Sequence, residues 1–252
     1  MTEPEIPGDA GALPAAEPLA APAAQIPEGA TAGTPAEMPE EADTETLPKA
    51  EVGVGPWAGE LPQGEHWDPD LLADGDRRNV VDKYRYWKHE AIVADLDSKR
   101  HNFHIAIENW QHDMNIGTVV RTANAFLAKE VHIIGRRRWN RRGAMVTDRY
   151  QHIRHHPTVA DFVAWAQGEG LAIIGIDIFP DSVPLETYEL PKDCVLVFGQ
   201  EGPGLSPEVH EAAADTLSIE QFGSTRSINA ASAAAIAMHA WVRRHVFGQI
   251  VS

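Results

Sequence analysis

Residues 194–198 read Cys-Val-Leu-Val-Phe, five apolar residues with no polar residue between them. A strand with one wet face alternates. An unbroken run is buried on both faces, as an inner strand of a parallel sheet is. The same grammar begins at residue 103. The segments "FHIAIE" (103–108), "VHIIG" (131–135), "LAIIGID" (171–177) and "TLSI" (216–219) read as strands. The segments "NIGTVVRTANAFLA" (115–128), "TVADFVAWAQGEG" (158–170) and residues 229–246 read as helices. Strands alternating with helices predict an α/β domain over 101–250, with a mostly parallel sheet and helices on both faces.

Two segments precede it. Residues 1–60 are rich in Ala, Pro, Glu and Thr, with no aromatic residue before Trp57. They bury too little surface to repay the entropy of ordering, which predicts a disordered acidic tail. Residues 61–100 form a linker and an N-terminal helical extension. In 76–100, Val80, Val81, Tyr84, Trp87, Ile92 and Val93 fall at helical spacing and predict a helix packed on the core by one face.

The formal charge of −16 belongs to the tail. Residues 1–76 hold 17 acidic side chains against Lys49 alone, whereas residues 77–252 balance 20 acidic with 20 basic ones. The net acidity therefore does not exclude a polyanionic partner. Cys194 is the single cysteine, so no intramolecular disulfide and no cysteine zinc cluster forms. No signal-peptide pattern and no apolar run of about 20 residues is apparent, and a cytoplasmic location is expected.

Ligands of open parallel sheets bind beyond the carboxyl ends of the strands. Three polar, glycine-bearing segments stand there: "ENWQHDMNIGTVVR" (108–121), "GQEGPGLS" (199–206) and "EQFGSTRSIN" (220–229). Gly199, Gly202 and Gly204 permit tight turns and close backbone approach to a ligand. Neither a P-loop nor an early GxGxxG pattern is present. Asn115 stands where a helix cap would. Gly117 and Arg121, four residues apart, put a small residue and a long cation on one face, which suits a bulky anionic group. "RRRWNRR" (136–142) offers Arg136, Arg137, Arg138, Arg141 and Arg142 for phosphates and Trp139 for stacking on a base. His152, His155 and His156 lie close together, but no cysteine or near carboxylate completes a ligand set, so no metal is expected. No GxSxG elbow marks a serine nucleophile.

Taken together, the three segments resemble the motifs of the SpoU (TrmH-like) family of RNA ribose 2′-O-methyltransferases, in the SPOUT superfamily. "NIGTVVRTANAF" resembles the first motif through Asn115, Gly117 and Arg121. "VFGQEGPGLS" resembles the second through Gly199, Glu201, Gly204, Leu205 and Ser206. "SIEQFGSTRSINAASAAAIAMHAW" (218–241) resembles the third through Ile219, Gly223, Ser227, Ile228 and Asn229. Glu220 stands where the family usually has proline, and Ala231 where it has serine.

The resemblance implies a C-terminal deep trefoil knot whose loops bind S-adenosylmethionine, and a homodimer with the site near the subunit interface. It implies methylation of a ribose 2′-hydroxyl in tRNA or rRNA. Arg121, Asn115, Glu201, Ser227 and Asn229 would be catalytic. Phe198, Gly199, Gly204, Leu205, Ile219, Gly223, Ile228 and Asn229 would hold the cofactor. Arg121 and the 136–142 arginines with Trp139 would hold RNA. A non-catalytic binder of structured RNA that keeps the fold, or an RNA base methyltransferase, is the alternative. No membrane or metal partner is expected.

Overall fold

The computed structural model describes residues 53–111 and 115–249. The acidic-tail assignment lies outside the described residues for 1–52. Residues 53–60, which composition groups with the tail, are described. Val54 pairs with Asp76 in an isolated bridge, and the Tyr86 hydroxyl donates to the Gly55 carbonyl at 2.6 Å.

The N-terminal part holds two short α-helices, α1 (Pro69–Asp74) and α2 (His89–Asp97), with one 3-10 turn at Asp82–Tyr84 between them. The single helix expected across 76–100 is therefore confined to its second half. A buried carboxylate is the reason. Asp76 accepts from the Tyr86 amide at 2.9 Å and from Arg78 Nη2 at 2.7 Å, and it also takes the Arg78 amide. These bonds wrap residues 76–87 around one side chain, with Tyr86 in the left-handed region at φ 61°, a conformation a helix does not contain.

The α/β domain follows the expected order with ends shifted by at most three residues, the largest shift being at the end of the helix expected over 115–128, which stops at Ala125. Its elements are β1 (His104–Asn109), α3 (Ile116–Ala125), β2 (Val131–Gly135), β3 (Ile153–His156), α4 (Val159–Gly168), β4 (Ala172–Ile176), β5 (Val183–Pro184), β6 (Cys194–Phe198), α5 (Pro207–Ala212), β7 (Asp215–Ser218) and α6 (Ala230–His245). β3, β5 and α5 are additions to the sequence reading. The strands form one sheet in the order β3-β2-β1-β6-β4-β7-β5, and every strand pairing is parallel. The all-apolar β6 lies between β1 and β4, fully buried along its length.

Alternate residues of each strand feed two cores. On one face Ile105, Ile133, Leu196 and Ile174 meet Val120 of α3 and Met238 and Trp241 of α6. On the other, Ala106, Ile134 and Val197 meet Phe162 and Ala166 of α4 and Val209 of α5. Among the described residues, no helix is long and apolar enough to cross a membrane.

Candidate active site

The carboxyl ends of β4, β6 and β7 open into a cavity of about 310 Å³. Its apolar wall is Ile176, Phe198, Leu217, Ile219 and Ile228, and its polar rim includes Asp177, Gln200, Glu201, Gln221, Ser227 and Asn229.

The glycine loop after β6 closes one side. Gln200 and Gly204 exchange backbone bonds at 3.1 and 3.0 Å, making a tight turn between them. A side chain at Gly199 would fall on the Gly204 carbonyl carbon and the Leu205 nitrogen, so only glycine fits there. Gly204 has φ +75°, with the Asp177 carboxylate beside it. Asp177 also accepts from the Leu205 amide at 2.7 Å, tying the end of β4 to this loop. The buried Gln200 side chain accepts from the amides of Trp110 and Gln111 at 2.8 and 2.6 Å. The segment after β1 is thus hung on the segment after β6.

Asn115 does not cap α3. It lies in helical geometry, with no side-chain cap bond. Its amide instead donates to Glu201 Oε2 at 2.9 Å, and its Oδ1 accepts from Asn229 Nδ2 at 2.9 Å. Asn229 caps α6, its Oδ1 accepting from the amides of Ala231 and Ser232 at 2.9 and 3.4 Å. One residue from each polar segment therefore meets in a single junction on the cavity rim.

The face shared by Gly117 and Arg121 is put to a different use than spacing suggests. A Cβ at Gly117 would lie 2.8 Å from the Gly143 and Ala144 nitrogens and 2.9 Å from the Asn140 carbonyl oxygen. The backbone approaching this glycine is the chain's own 140–144 turn. Arg121 stands exposed one turn further along α3.

The 136–142 loop is pinned from below. Asn109 Nδ2 donates to the carbonyls of Arg136 and Arg138 at 2.7 and 2.9 Å. Arg136, Arg137, Arg138, Arg141 and Arg142 are exposed. Trp139 is half-buried against the α3–α6 core, and the Arg141 guanidinium sits 5.4 Å from its ring centroid. Packing of Trp139 on the core thus also anchors this loop.

Of the expected cofactor residues, Phe198, Gly199, Gly204, Ile219, Ile228 and Asn229 line the cavity. Leu205 and Gly223 do not. Leu205 is buried in the α4–α5 core, and Gly223 is exposed with nothing within 4 Å of an added Cβ. Of the expected catalytic residues, Glu201, Ser227 and Asn229 line the cavity, Asn115 is bonded to two of them, and Arg121 projects from α3. Asp177 and Gln221 were missed. Asp177 ends a strand of the open sheet, the position where ligands bind, so its place was legible. Gln221 lies in the singled-out 220–229 segment, but nothing in its residue type marked it within that segment.

The cavity suits a nucleoside with a charged arm. Its wall of isoleucine, leucine and phenylalanine matches a flat purine. Among the described residues, Gln221 Oε1 is buried without a hydrogen-bond partner, an acceptor fitting an exocyclic amine. The exposed Glu201 and half-buried Asp177 carboxylates stand on the polar side, where a cationic arm would lie.

Comparison with known proteins agrees with this geometry. The family model described as the SpoU rRNA Methylase family matches residues 102–239. A tRNA (guanosine(18)-2′-O)-methyltransferase of Escherichia coli K12 is 23% identical over 155 residues, covering 60% of this chain and 68% of that protein. An AdoMet-bound rRNA methyltransferase from Sinorhizobium meliloti superposes with a TM-score of 0.53 at 24% identity, over 61% of this chain and 60% of that one. A structure solved for insight into the 2-OH methylation of C/U34 on tRNA has a TM-score of 0.51 at 26% identity, over 59% of this chain and 99% of that one.

Proposed function

The chain belongs to the SpoU rRNA methylase family, and on that premise we propose that it methylates a ribose 2′-hydroxyl of transfer or ribosomal RNA. The observation that carries the reading is the Asn115–Glu201–Asn229 junction on the cavity rim, with the arginine loop packed against the first turn of α3. Cofactor cavity and polyanion surface are thereby held on one rigid frame.

S-adenosylmethionine, when bound, supplies a methyl group on a sulfonium. Phe198, Ile219 and Ile228 would hold its adenosine part, with Gly199 and Gly204 giving close backbone approach. Arg121 is the catalytic cation. A guanidinium is a poor base, so its work is to grip a phosphate beside the target ribose and to offset charge growing on the 2′-oxygen. Asn115 and Glu201 position the start of α3, and through it Arg121. Ser227 and Asn229 fix the loop that closes the cavity. Alignment of a weak nucleophile accounts for much of the rate gain. Arg136, Arg137, Arg138, Arg141 and Arg142 bind the RNA backbone.

The C-terminal part threads as a trefoil knot in this reading. β7 lies on the far side of β4 from β6, yet α6 returns to pack on α3 across the sheet. A homodimer is supported by the apolar residues that α6 and its end leave exposed, Ile236 and Phe247. A cytoplasmic site of action fits the single, buried, unpaired Cys194.

Arg121→Ala tests the assignment. Methyl transfer should fall by about 10²-fold or more, with S-adenosylmethionine affinity held within about tenfold. Turnover that survives the change removes Arg121 from the reaction.

A further inference from the structure

A second cluster lies at the opposite end of the strands from the cavity, on the face covered by α4. The register sets Ile105 of β1 against Val131 of β2, so Glu130 stands across from His104, and His132 follows two residues later on the same face. His104 Nδ1 is 3.0 Å from His132 Nε2. Glu130 Oε2 is 3.8 Å from that same His132 nitrogen, beyond hydrogen-bond length. One donor atom from each of the three residues falls within 4.8 Å of the other two.

Further side chains hold these three. His132 Nδ1 is 3.0 Å from His156 Nε2. Arg154 Nε is 3.2 Å from Glu130 Oε2. Trp165 of α4 stacks on the His132 ring with centroids 4.0 Å apart.

We propose that His104, Glu130 and His132 bind a divalent transition metal of the zinc class, as a site that ties β1 and β2 together apart from the methyl-transfer centre. Two imidazole nitrogens, which are borderline donors, with one carboxylate oxygen make a donor set that zinc takes, whereas calcium and magnesium take oxygen ligands. Without an ion, the His104 Nδ1–His132 Nε2 hydrogen bond and the Glu130–Arg154 ion pair hold these groups; an ion among the three would replace the first bond and keep the second as an orienting contact.

His156 and Arg154 are the orienting partners that ligating histidines and carboxylates commonly have. A neutral imidazole offers one nitrogen lone pair and keeps one ring proton. Coordination through His104 Nδ1 and His132 Nε2 leaves the ring protons on His104 Nε2 and on His132 Nδ1, the latter donated to His156. No proton has to leave the site. Lys129 and Arg154 weaken the cation's hold, and the Glu130 charge offsets part of that.

The test is titration of the full chain with Zn²⁺ against a chromogenic chelator, with Co²⁺ absorption as a report of geometry. One Zn²⁺ per chain and a raised thermal midpoint are expected. His104→Gln and Glu130→Gln, both at partly exposed positions, should each weaken Zn²⁺ by at least about tenfold and leave the metal-free midpoint near that of the parent. His152→Gln should leave affinity unchanged. Failure of the parent chain to bind Zn²⁺, or equal affinity in both ligand variants, overturns the proposal. Neither result bears on methyl transfer, which is read separately.

Discussion

Asn229 donates its side-chain amide to Asn115 Oδ1, 2.9 Å away and 114 residues earlier in the chain. The same side chain caps α6 through its oxygen. A helix start on one polar segment is therefore locked to the residue that contacts Glu201 on another. A lone cap would leave that amide nitrogen unused.

Two substitutions separate these roles. Asn229→Asp keeps the capping oxygen and removes the donor to Asn115. It should leave the thermal midpoint near that of the parent while methyl transfer falls by at least about tenfold. Asn229→Ala removes both and should add a stability loss of about 1 kcal/mol. Chemical denaturation beside single-turnover assays reads the pair, and full activity in Asn229→Asp would show that the junction is structural only.

Gly199 and Gly223 make opposite predictions. Gly199→Ala drives a methyl group into the Gly204–Leu205 backbone and should destabilise by about 3 kcal/mol or abolish cofactor binding. Gly223→Ala meets open space and should change stability by less than about 0.5 kcal/mol. Equal losses at both positions would mean that the 220–229 loop closes more tightly than this structure shows.

The N-terminal part carries its own acid sensitivity. Burial raises the Asp76 carboxyl, but hydrogen bonds from Arg78 and the Tyr86 amide outweigh it and hold the group down to about 2. A depressed carboxyl stabilises above its unfolded value near 4 and loses that contribution as pH falls toward about 2. Asp76→Asn should flatten the stability profile in that window. An unchanged profile would place the acid-sensitive group elsewhere.

The arginine loop should show itself in salt dependence. Replacing Arg136, Arg137 and Arg138 together with alanine should lower the slope of log K against log salt by about 2 and leave S-adenosylmethionine affinity unchanged. RNA affinity and slope like those of the parent would move the polyanion surface off this loop.

Much of the architecture was legible in sequence because burial leaves a periodic trace. The run 194–198 marked the innermost strand, and the order of strands and helices followed. β3 escaped because Ile153–His156 is one apolar residue followed by Arg and two His, and its place is set by pairing with β2. The 76–88 segment misled because one buried Asp76 overrides the helical spacing of Val80, Val81, Tyr84 and Trp87. At the site, residue types pointed to Asn115, Glu201 and Asn229, but not to their mutual bonds. Those depend on contacts 86 and 114 residues apart. The crowding at Gly117 is likewise a tertiary fact, invisible in its spacing from Arg121.

The most direct measurement is methyl transfer from labelled S-adenosylmethionine to total RNA lacking this modification, followed by nucleoside mass analysis and mapping. A 2′-O-methylated nucleoside at one defined position, absent with Arg121→Ala, is the result predicted here. Label on a base, or no label in tRNA or rRNA by a chain that binds the cofactor, would contradict ribose methylation as its activity.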